Sequence, residues 1–145
     1  MATKAKVKAK PKAKARLKAA PKAPGEFAIV SRKLTAILSR YKRGSLRNRP
    51  DAMGGFCLVG PATETSRGRE VWFGAVGPRK NYVSFHLMPV YAFPDLLKSI
   101  SPALKKRMQG KSCFSFKEVD EELFDELAKL TEQGYKRFKA EKLIR

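Results

Sequence analysis

Phe27, Val30, Leu34, Ile37, Leu38 and Tyr41 recur at helical spacing and open the patterned part of the chain. They form the apolar stripe of an amphipathic helix, with Arg32, Lys33, Arg40 and Lys42 on its other sides; Gly44 stops it. A short apolar strand follows at Phe56–Val59, bounded by Gly54-Gly55 and Gly60-Pro61, and residues 62–69 read as a polar loop. Then the period changes to two. Val71, Phe73 and Ala75 alternate with Trp72, Gly74 and Val76, and Val83, Phe85 and Leu87 alternate with Tyr82, Ser84 and His86. The turn-forming residues Gly77–Asn81 between them predict an antiparallel hairpin.

Pro89 ends the second strand, and a short helix is expected around Asp95–Ser99. Another starts at Ser101-Pro102, with Ser as N-cap and Pro at the first helical position, where its missing N–H costs nothing. Gly110 closes that helix, and Phe114 and Phe116 share one face of a last short strand. From Asp120 onward Leu123, Leu127, Leu130 and Phe138 mark a long terminal helix. Its first turn holds Glu121 and Glu122 and its end Lys139, Lys142 and Arg145, the polarity that complements a helix dipole. The expected fold is a single α+β domain over residues 26–145. It has an antiparallel sheet of about four strands, an N-terminal helix, a central helical pair and a long C-terminal helix, and no internal repeat.

Composition changes the picture at the amino terminus. The chain carries 32 Lys and Arg against 13 Asp and Glu, a net charge of +19 over 145 residues. Residues 1–25 hold Lys4, Lys6, Lys8, Lys10, Lys12, Lys14, Arg16, Lys18 and Lys22 without one acid. From Glu26 to Pro50 the basic residues Arg32, Lys33, Arg40, Lys42, Arg43, Arg47 and Arg49 face Glu26 alone. A Lys-Ala-Pro segment of this kind has too little apolar surface to offset backbone ordering, so residues 1–25 are expected to be a disordered basic arm. Its composition resembles the tails of linker histones, and its expected partner is nucleic acid or another polyanion. With no aromatic residue in the arm, its contacts would be to phosphates and indifferent to base sequence.

Two cysteines, Cys57 and Cys113, are too few for a disulfide framework or a four-cysteine zinc site and suggest a reduced setting. No apolar run approaches the roughly 20 residues of a membrane span. The amino terminus also lacks the apolar core of a secretory signal, so a cytoplasmic protein is expected.

Candidate chemistry is sparse. Gly110-Lys111-Ser112 lacks the glycine five positions earlier and the preceding strand that a phosphate-binding loop requires; a helix C-cap followed by a strand explains it. Lys111 and Lys117 would favour a Cys113 thiolate, but a nucleophile needs a positioned base and His86 is the sole histidine. A buried, inert thiol is the simpler expectation for both cysteines. The strand face bearing Tyr82, Ser84 and His86, joined by Trp72, either lines a small pocket or is a second buried face under the terminal helix. In the second case His86 is hydrogen-bonded in place, and strand propensity favours that case.

The words WFGAV (72–76), KNYVSFHLMPVY (80–91) and SPALKKRMQGKSCFSFK (101–117), with the Phe124-to-Leu130 helix and Tyr135 and Phe138 behind it, resemble the YdhG-like family. These are small domains mostly of unknown function, some regarded as frataxin-like iron chaperones. The resemblance covers about residues 70–140 well and residues 26–69 loosely, and the Lys-rich arm is outside the family pattern. It implies a compact α+β fold and, as an alternative function, iron handling. The exposed acids Glu118, Asp120, Glu121, Glu122 and Asp125, with Glu126, would then act as hard oxygen ligands. Acids at a helix start also have an ordinary capping role, and the +19 charge repels cations.

The expectation is therefore a non-enzymatic binding module without a cofactor, tethered to phosphate backbones by its arm. Behind it stand the iron-handling alternative and, more remotely, a small-molecule domain or enzyme using the Trp72/His86 face.

Overall fold

The computed structural model describes residues 24–50 and 55–145. Helix α1 spans Pro24–Ser39 and buries Val30, Leu34, Ile37 and Leu38. It begins within the Pro24-Gly25 pair rather than after it, because a proline in the first turn loses no helical hydrogen bond. The strands are β1 (Arg47–Pro50), β2 (Phe56–Gly60), β3 (Val71–Pro78), β4 (Val83–Leu87), β5 (Met108–Gln109) and β6 (Cys113–Phe116). They form one antiparallel sheet in the order β1-β2-β3-β4-β6-β5. The expected α+β single domain is what the chain forms, with six strands in place of about four. Both extra strands are short edges.

Between β4 and β6 the chain makes α2 (Met88–Ala92), a 3-10 turn at Pro94–Ser99 and α3 (Pro102–Lys105). Pro89 thus continues into a helix, its ring placed in the first turn, and the central pair becomes three short segments. Ser101 caps α3, its hydroxyl accepting from the Leu104 N–H at 3.1 Å. Gly110 does not close that helix. It sits at φ +80° in the turn that joins β5 to β6, a backbone conformation that suits glycine. Helix α4 runs Glu121–Ala140, capped by Asp120, whose Oδ1 accepts from the Leu123 N–H at 3.2 Å.

The helices lie on one face of the sheet. Leu58, Phe73, Val76, Val83, Phe85, Leu87, Phe114 and Phe116 pack with the α1 and α4 stripes in a single core. Phe116 meets Phe124 edge-on at 5.0 Å, and Phe73 lies 5.8–6.0 Å from Tyr41, Tyr135 and Phe138. The terminal helix therefore covers the Val83/Phe85/Leu87 face and not the His86 face.

Regular alternation along β3 breaks at one point. Leu58 pairs with Gly74, but the next residue of β2, Val59, pairs with Trp72, leaving Phe73 as the extra residue of a β-bulge. Phe73 and Gly74 thereby both face the helices. Gly74 has no room for a side chain, since a Cβ there would lie 2.8 Å from Leu38 Cδ2. Trp72 turns to the opposite face, which strict alternation with Gly74 and Val76 would not allow.

Candidate functional site

Register across the sheet defines the face away from the helices. Arg47 and Arg49 of β1 oppose Val59 and Cys57; Cys57 opposes Ala75, Ala75 opposes His86, and His86 opposes Cys113. Directly opposed residues share a face, so these positions and the bulge-shifted Trp72 form one surface. Trp72 keeps 43% of its area exposed, and Arg47 and Arg49 are exposed beside it. The six strands contain no Asp or Glu.

The cations have specific local partners. Arg47 Nη1 donates to the Gly44 carbonyl at 2.7 Å and to the Leu46 carbonyl at 3.1 Å, which stiffens the entry to β1. Arg49 pairs with the Glu70 carboxylate, tying the sheet edge to the start of β3. Both partners are exposed, so the pair adds little stability. Arg79, in the β3–β4 turn, folds its guanidinium back over Gly77, within 2.8 Å of where a Cβ would stand. It also acts electrostatically on Cys113 two strands away. The sequence offered no sign of that reach, because Arg79 reads as one more polar turn residue. A cleft of about 660 Å³ follows the β1 edge, lined by Ser45, Arg47, Asn48, Arg49, Gly60 and Glu70 among others.

Of the four residues expected to share a pocket, Trp72, Ser84 and His86 lie on this face, and Tyr82 sits half-buried in the turn before β4. None of them lines the cleft. Ser84 is buried and donates to the Gly77 carbonyl at 3.1 Å, so its hydroxyl serves the hairpin. His86 is half-buried, its Nε2 3.1 Å from the hydroxyl of buried Ser112. Sequence separation concealed that partner, which the β6 register supplies.

Burial holds the His86 pKa below its ordinary value of 6.5. As pH falls the unfolded chain takes up this proton first. The stability of the neutral ring is therefore complete above about pH 6.5 and is lost as pH drops through the folded pKa. Replacing His86 with alanine strands the Ser112 hydroxyl and should cost about 1–3 kcal/mol at pH 7.5. It should also flatten the loss of stability between roughly pH 7 and 5. Urea denaturation of both proteins across that range checks both effects, and identical pH profiles would contradict the assignment.

Cys113 and His86 oppose each other on neighbouring strands, a proximity the sequence did not reveal. Burial raises the thiol pKa, Arg79 only partly opposing it, while the imidazole is pushed toward neutrality. Those shifts oppose a thiolate–imidazolium couple. Cys57 is buried.

The acids after Glu118 do not assemble as ligands. Asp120 caps α4, Glu121 pairs with Lys33 at 3.0 Å, and Glu126 accepts from the Ser101 hydroxyl at 2.7 Å. Glu122 and Asp125 are exposed on the first turns of the helix. Among the described residues no group of three or more His, Cys, Asp or Glu could hold a metal ion. Capping, ion pairing and hydrogen bonding thus engage Asp120, Glu121 and Glu126. The basic positions Lys4 to Lys22 lie outside the described residues.

No protein-family model, curated protein or solved structure matches the chain. Function must be argued from its own residues.

Proposed function

We propose that this protein is a non-enzymatic nucleic-acid-binding module that grips phosphate backbones through its lysine-rich amino-terminal segment. The observation that carries this reading is nine cations and no carboxylate in residues 1–25, followed by seven more against Glu26 alone up to Pro50. A polyanion binds such a segment by releasing condensed counterions, which needs cation density and no preformed pocket. The folded domain adds to the same polarity. Arg47 and Arg49 stand on an edge strand, while the acids from Glu118 to Glu126 gather at the start of α4, on the helical side.

A cytoplasmic location belongs to the proposal, supported by a cysteine content of two, too low for a disulfide framework. Among the described residues no helix is long and apolar enough to cross a membrane. The resemblance of residues 70–140 to the YdhG-like family enters this reading through the α+β fold it implies.

Fluorescence anisotropy of a labelled duplex at several salt concentrations tests the proposal. Each neutralised phosphate contributes roughly 0.9 to the slope of log affinity against log salt, so engagement of about 5–8 of them gives a slope near 4–7. Affinity should not depend on base sequence. Undetectable binding at low salt would overturn the reading.

A further inference from the structure

The sheet face away from the helices carries a second, different capacity. Trp72 is the chain's single tryptophan and, among the described residues, one of the most exposed large apolar side chains. Among the described residues its indole N–H has no hydrogen-bond partner, and its ring has no aromatic or cation contact. Val59 lies directly opposite it on β2, and Cys57, Ala75 and His86 form the next row along this face, all with side chains smaller than the indole they border. Arg47 and Arg49 flank these positions on the β1 side, and Arg79 lies over Gly77 at the far end of β3. Glu70, two residues before Trp72, is engaged by Arg49.

We infer that this face is a stacking platform for single-stranded nucleic acid, with Trp72 receiving an unpaired base and the flanking arginines its phosphates. The inference rests on the nucleic-acid reading above and narrows it. An exposed indole on an acid-free sheet matches a ligand that offers flat apolar rings on an anionic backbone. A duplex keeps its bases stacked on one another and presents mainly phosphates, which leaves the indole unused. The β-bulge is the structural cause, since it sets Trp72 on the side of the arginines instead of in the core. The arm and the platform then divide the work. The arm contributes salt-dependent, sequence-blind attraction, and the sheet contributes preference for unpaired strands.

Because Trp72 is the only tryptophan, its emission reports the contact directly. The full chain is titrated with a fluorescein-labelled single-stranded oligothymidylate for anisotropy and with unlabelled oligonucleotide for Trp72 emission. The duplex of the same length serves as a control. Expected are quenched Trp72 emission with the single strand and little change with the duplex. Trp72→Ala should bind the single strand about tenfold more weakly with an unchanged salt slope, and Trp72→Phe should recover most of the affinity. Thermal melts of both variants should match the parent, since the side chain is not part of the core. If the single strand binds while emission is unchanged and Trp72→Ala binds as tightly as the parent, the platform is refuted and the arm reading stands alone. Absence of binding in anisotropy at low salt would refute both.

Discussion

Alanine in place of Phe73 should cost about 3–5 kcal/mol of unfolding free energy. Its ring is fully buried and sits where three elements meet: Tyr41 just past α1, Tyr135 and Phe138 on α4, and the bulge of β3. Removing it deletes contacts to all three aromatic neighbours at once. The surrounding backbone cannot close the gap, because one side is sheet and the others are helix ends. A domain of this size holds only about 5–15 kcal/mol in total, so a loss of that order brings it near the unfolding threshold. Urea denaturation monitored by circular dichroism checks the figure; a loss below about 1 kcal/mol would mean that Phe73 is not the junction described here.

Elements were legible where one period ran long enough. The α4 stripe at Leu123, Leu127, Leu130 and Phe138 is buried as its spacing requires, and Ser101 and Asp120 cap the helices they precede. The β3–β4 hairpin followed from alternation and its turn residues. The two edge strands were not legible. Arg-Asn-Arg-Pro is polar and ends in proline, and Met108–Gln109 is two residues long; each is a strand only because β2 or β6 offers it a partner. Tertiary pairing decides such segments, not intrinsic preference.

The bulge at Phe73 was hidden for a related reason. In Val71–Val76 apolar residues and glycine occupy both faces, so no polar position betrays a change of phase. Trp72 was nevertheless expected beside His86, and it is there because of a register shift that alternation could not express. The charge run was plain in the sequence, as was the scarcity of acids before Asp51. The Arg79 fold-back and the Ser112–His86 bond depend on residues brought together by strand order.

The largest functional effect should come from deleting residues 1–23, the cations that precede α1. The core residues of α1 lie beyond the deletion, so the shortened chain should keep the parent's melting temperature within error. Its affinity for duplex DNA at about 50 mM salt should fall by a hundredfold or more, because most of the released counterions belong to those nine side chains. Arg40, Lys42, Arg43, Arg47 and Arg49 remain, but Arg47 and Arg49 are partly engaged by carbonyls and by Glu70. The residual slope should therefore be small.

The most direct measurement is the salt dependence of duplex binding for the full chain and for the chain starting at Pro24, by anisotropy under matched conditions. Phosphate gripping by the amino-terminal segment predicts a slope near 4–7 for the full chain, falling to about 1–2 in the shortened one. Equal slopes for the two proteins would contradict it.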